Sequence, residues 1–93
     1  MTIPTGGAPT GTAGLEVLVS AGCRSCDQAL QLVETFRDTH PHVPVRVTDV
    51  DEPGWVPPPG FVGTPMFLAD GRILFLGNPS PAALRAAFPP GGP

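Results

Sequence analysis

An apolar run from Leu15 to Val19, interrupted only by Glu16, passes through Ser20-Ala21-Gly22 into Cys23-Arg24-Ser25-Cys26, and a segment with helical spacing leaves on the far side. A strand this continuously apolar belongs inside a sheet that is covered on both faces. A cysteine at the join between strand and helix meets the first backbone N–H groups of the helix, which have no partner within it, and the positive end of the helix dipole. Both favour a thiolate over a thiol. From Arg24 to about Thr39 the apolar residues Cys26, Ala29, Leu30, Val33 and Phe36 recur at helical spacing, while Asp27, Gln28, Gln31, Glu34, Arg37 and Asp38 are left mainly for water. Cys26 therefore shares the buried face, one turn into the helix, and Cys23 stands at its open end.

The helix is expected to stop at Thr39-His40-Pro41, because the residue before a proline is pushed out of the α region. Val43, Val45, Val47 and Val50, with Arg46 and Thr48 between them, then predict a second strand that ends in Asp49, Asp51, Glu52 and Pro53-Gly54. Together these make a β-α-β unit. Pro53, Pro57, Pro58 and Pro59 exclude a long helix from the segment 53–60, which reads as an irregular loop docked through Trp55, Val56 and Phe61. Asp70-Gly71, between Met66-Phe67-Leu68-Ala69 and Arg72-Ile73-Leu74-Phe75-Leu76, is a strong hairpin signal. After the turn Gly77-Asn78-Pro79, Ser80 suits an N-cap, Pro81 the first helical position, and Ala82 to Phe88 a short helix.

Composition narrows the functions open to such a chain. Ninety-three residues suffice for one small core, and the net charge of -3 gives no electrostatic footprint for nucleic acid. No apolar stretch is long enough to span a bilayer, so no membrane role is expected and the default location is the cytoplasm. In a reducing compartment two cysteines separated by two residues read as redox-active or metal-binding. Thr2 to Ala13 carry almost nothing to bury, so residues 1–13 are expected to be a disordered leader, 14–89 the domain and 90–93 a disordered tail.

The order strand, Cys-x-x-Cys helix, strand, loop, Gly-Thr-Pro, hairpin and short helix resembles the thioredoxin and glutaredoxin family. The resemblance covers residues 15 to 88. It is carried by Cys23-Arg24-Ser25-Cys26, by the strand end Val47-Thr48-Asp49-Val50-Asp51-Glu52, by Val62-Gly63-Thr64-Pro65, and by Asp70-Gly71 followed by Gly77. It implies a thioredoxin-like α/β fold, with a central mixed sheet of about four strands and flanking helices. It further implies a cis bond before Pro65 and a Thr64 backbone free to pair with a substrate segment as an added strand. The chain departs from the family pattern in four ways. Pro57-Pro58-Pro59 replaces most of the usual helix before Pro65, leaving one sheet face thinly covered. No Trp precedes Cys23, no Pro or aromatic residue separates the cysteines, and no lysine is present to bind glutathione.

The chemistry implied is thiol–disulfide exchange through a redox-active Cys23/Cys26 pair. Cys23 is the nucleophile and Cys26 the resolving thiol. Arg24, Thr64 and Pro65 contact substrate, and Ser25 offers a hydrogen bond. No bound cofactor or metal is required. The expected partners are a disulfide-containing protein and a reductase or glutathione as electron source, with the chain itself a monomer. Two other readings stand beside this one. The first is a thiolate metal-binding or metal-transfer module, since strand, Cys-x-x-Cys and helix also open the small copper-chaperone fold. Against it, Ala21-Gly22 stands where those proteins usually have Met, and Pro57-Pro58-Pro59 where they need strand. The second is a non-catalytic domain that binds proteins along the Thr64-Pro65 edge. His40 and His42 fit no usual zinc spacing and read as solvated loop residues, as do Asp49, Asp51 and Glu52. Met66 reads as core.

Overall fold

Residues 14–88 are described by a computed structural model. The expected leader, the tail and residue 89 lie outside the described residues. The elements run β1 (Leu15–Val19), α1 (Arg24–Thr39), β2 (Val45–Asp49), β3 (Met66–Ala69), β4 (Arg72–Leu76) and α2 (Pro81–Ala87). The strands form one mixed sheet in the order β2-β1-β3-β4. β1 pairs with β2 in parallel and with β3 antiparallel, and β3 and β4 form an antiparallel hairpin. This is a small α/β domain with two helices, compatible with a thioredoxin-like fold.

The inner strands explain why so many apolar residues run without a break. Side chains alternate across a strand, so Phe67 and Ala69 of β3 enter a core shared with α1 and α2, while Met66 and Leu68 enter a second cluster on the opposite face. All four are buried. Leu15 and Val17 of β1 join the helix-side core, where they meet Ala29, Val33 and Phe36 of α1 and Leu84 of α2. β2 is an edge strand and far less covered. Its loop-side face is polar: Thr48 Oγ1 donates to Glu16 Oε2 at 2.7 Å and the Arg46 guanidinium lies 3.7 Å from the same oxygen. That pairing lets Glu16 sit within an otherwise apolar strand.

The segment 53–60 contains no helix, as the prolines require, and the second sheet face is closed by side chains of this loop. Trp55 and Phe61 meet edge to face, with ring centroids 5.1 Å apart, and pack on Leu18, Met66 and Leu68 together with Val50 and Ile73. Edge-to-face contact suits rings whose faces are negative and edges positive. The β3–β4 hairpin carries an irregularity at Phe67/Leu68, where Phe67 pairs with Phe75 and Leu68 with Ile73. The extra residue, Leu74, lets Leu74 and Phe75 both reach the helix-side core. Asp70 and Gly71 take positive φ (51° and 84°), as a tight two-residue hairpin turn requires.

Four expectations are corrected. Val56 does not help dock the loop: it is 77% exposed, and Trp55 and Phe61 make the contact with the sheet. β2 is shorter than the valine pattern suggests: Val43 and Val50 lie outside it, although the buried Val43 still fills the core. Leu30 is off the buried stripe of α1 and 39% exposed, because that stripe centres on Ala29, Val33 and Phe36. His40 is no solvated loop residue. It caps the C-terminus of α1, its N–H donates to the Phe36 carbonyl, and its ring stacks on Phe36 at 4.4 Å with only 2% of the residue exposed. Its place four residues after Phe36 continues the buried stripe into the core. Nδ1 lies 2.8 Å from Thr39 Oγ1, and Nε2 has no hydrogen-bond partner among the described residues. The Thr39 hydroxyl also reaches the Phe36 carbonyl at 3.2 Å.

Candidate active site

The turn between β1 and α1 comes together at the C-terminal end of the sheet's parallel pair. β1 stops at Val19, Gly22 turns the chain with φ +72°, and Cys23 takes extended geometry as the N-cap of α1. In most helices an oxygen of Ser, Thr, Asp or Asn fills this role. Here the Cys23 sulfur does, accepting the Cys26 N–H at 3.1 Å. An N–H pointing at the sulfur stabilises negative charge on it, and the dipole of a sixteen-residue helix adds to the effect. Cys23 and Cys26 are joined as a disulfide, with Cα atoms 5.2 Å apart. Cys23 is half-buried, whereas Cys26 is 3% exposed. Of the two residues, Cys23 is the one with surface open to an approaching partner.

Three clasps hold this turn, each from a distant part of the chain. Ser20 Oγ and Thr64 Oγ1 share a hydrogen bond of 2.7 Å, tying the approach to Cys23 to the turn that carries the buried Pro65. The Thr64–Pro65 bond is cis, and the Pro65 carbonyl accepts the Gly77 N–H at 2.9 Å. Asp51 Oδ2 accepts the Ala21 N–H at 3.1 Å, and Asp49 Oδ1 accepts the Asp51 N–H at 2.8 Å, so the acidic end of β2 is spent on loop geometry. Asn78 Nδ2 donates to the Ser25 carbonyl at 2.9 Å. Among the described residues no backbone hydrogen bond engages Thr64.

Of the residues singled out by sequence, Cys23 and Cys26 are bonded to each other, and Thr64 is linked to them through Ser20. Arg24 is exposed and makes no salt bridge among the described residues. His40 and His42 belong to the opposite end of α1, their rings 6.0 Å apart. No set of three or more His, Cys, Asp or Glu residues with metal-holding geometry occurs among the described residues. Sequence reading missed the parts played by Ser20, Asp51 and Asn78. No helix among the described residues is long and apolar enough to cross a membrane.

The chain matches no protein-family model, and no curated protein matches it. Its classification therefore rests on the fold and the site.

Proposed function

We propose that the protein is a small thioredoxin-like thiol–disulfide oxidoreductase whose working group is the Cys23/Cys26 pair, within a domain spanning residues 14–89. One observation carries the reading: the half-open Cys23 sulfur caps α1 and takes the Cys26 N–H, while its disulfide partner is buried beneath it. In the reduced protein the Cys23 thiolate attacks one sulfur of a substrate disulfide, forming a Cys23–substrate disulfide and releasing the other substrate sulfur as a thiolate. Cys26, deprotonated, then attacks the Cys23 sulfur. The Cys23–Cys26 disulfide forms, and the second substrate thiol leaves. Two electrons pass from the pair to the substrate, whose two sulfurs end as thiols. A dithiol reductant, or glutathione, restores the pair.

Substrate reaches the pair from the open side. Thr64 has no backbone hydrogen bond among the described residues, and an extended peptide pairing there as an added strand would bring its disulfide to Cys23. Pro65 shapes that turn, and Arg24 adds positive charge beside the nucleophile. Disulfide-bearing proteins fit an exposed site of this kind. The metal-transfer alternative gains no third ligand among the described residues. The test is turnover: with dithiothreitol as electron source, the protein should speed reduction of a peptide disulfide, and Cys23→Ser should remove the acceleration. Equal rates with wild type and Cys23→Ser would reject the proposal.

A further inference from the structure

Asn78 lies in the turn between β4 and α2, and the exchange reaction described above gives it no part. Its Nδ2 donates to the Ser25 carbonyl at 2.9 Å and lies 3.3 Å from Gln28 Oε1. A backbone carbonyl can only accept, which settles which end of the Asn78 amide faces α1. The accepting carbonyl belongs to the peptide unit that joins Ser25 to Cys26. The N–H of that same unit is shared between the Cys23 sulfur and the Cys23 carbonyl, each 3.1 Å away. Asn78 N–H, the Ser25–Cys26 amide and Cys23 Sγ thus form one hydrogen-bonded line. A peptide unit is conjugated from oxygen to nitrogen, and a donor at its oxygen draws electron density toward that end. Its N–H becomes the stronger donor, since successive hydrogen bonds polarise one another.

From this line we infer that Asn78 is a positioning residue for the redox pair, acting through the Ser25–Cys26 peptide to hold negative charge on the Cys23 sulfur. The inference rests on the oxidoreductase reading of Cys23 and Cys26. A stabilised thiolate serves the cycle twice, as the form that attacks the substrate disulfide and as the leaving group when a dithiol reductant, joined to Cys23 after opening the pair, closes on itself and frees Cys23. The charges around the turn include Arg24 and Asp27 on α1, Asp49 at the end of β2, and Asp51 just after it, which accepts the Ala21 N–H. The facing hydroxyls of Ser20 and Thr64 carry no charge. All of these stay in place when Asn78 is changed.

The test uses the full chain, reduced and metal-free, with iodoacetamide labelling of each cysteine followed by mass spectrometry from about pH 5 to pH 9. Asn78→Ala should raise the midpoint of Cys23 labelling by about 0.5, and the near-isosteric Asn78→Asp, which replaces the donor with a negative group, by about 1. Below the midpoint these changes read as labelling that is about threefold and about tenfold slower. Gln28→Ala removes the second hydrogen-bond partner of the Asn78 side chain among the described residues and should leave the midpoint in place. Thermal unfolding is read in parallel, because a purely structural Asn78 would lower the unfolding midpoint and spare the Cys23 profile. A wild-type Cys23 midpoint well below that of a free thiol, kept by both Asn78 variants, would overturn the inference and leave the oxidoreductase reading standing. A wild-type midpoint near about 8.5 would overturn both. Cys26 labelling as fast as Cys23 in Asn78→Asp would mean the fold is lost and would assign Asn78 to structure instead.

Discussion

Reduced Cys26→Ser protein mixed with a peptide disulfide is expected to accumulate as a mixed disulfide through Cys23, whereas Cys23→Ser accumulates none. The difference follows from where each sulfur sits. Cys23 is half-buried at the mouth of the turn, and the group that stabilises its charge is the backbone N–H of residue 26, which a serine retains. Removing the Cys26 thiol therefore leaves the attacking sulfur intact and takes away only the group that resolves the intermediate. Cys26, at 3% exposure on the buried face of α1, has no open path to a substrate sulfur and no N-cap position to favour its thiolate. Non-reducing electrophoresis with peptide mapping should show adduct in Cys26→Ser exceeding that in Cys23→Ser by more than about tenfold. Dithiothreitol should release it. Equal adduct in the two variants would reverse or dissolve the division of roles.

Phe67→Ala is expected to cost about 3–5 kcal/mol of stability. Phe67 has no exposed surface, lies on β3, one of the two inner strands of a four-stranded sheet, and meets Phe75 edge to face at 6.4 Å. It lies in the core that α1 and α2 share with the sheet, so its truncation opens a cavity beneath both helices. A domain of this size has little stability in reserve, and the loss should leave most of the chain unfolded at room temperature. Leu76→Ala, at a position 64% exposed, should stay within about 0.5 kcal/mol of wild type. Urea unfolding followed by far-ultraviolet circular dichroism makes the comparison. A Phe67→Ala cost below about 1 kcal/mol would contradict the packing described.

What could be read from the sequence was what repeats locally. The apolar stripe of α1, its stop before Pro41, the Asp70-Gly71 hairpin and the Ser80-Pro81 helix start are each written within a few neighbouring residues, and each element forms close to where those signals place it. The prolines of segment 53–60 likewise announced a loop, and Trp55 and Phe61 announced what that loop would cover. His40 was legible but misread. It continues the stripe of Val33 and Phe36, and its polarity outweighed its position. Ser20, Asp51 and Asn78 left no such trace. Their partners lie 44, 30 and 53 residues away, and a polar residue in a turn carries no periodicity to show which loop it will meet. The candidate nucleophile could thus be picked out from Cys-x-x-Cys at a helix start, whereas the groups that hold it required the fold.

The central claim is that Cys23 and Cys26 form a reversible two-electron couple, and its most direct test is equilibration of the protein in a series of glutathione redox buffers with the fraction of Cys23–Cys26 disulfide measured after acid quench. A pair set at a helix start should titrate in a single two-electron transition between about -270 and -120 mV, the range of dithiol couples that exchange disulfides. A pair that stays oxidised below about -300 mV would be a structural cross-link, and one that never closes would be no couple at all. Either result would contradict the account.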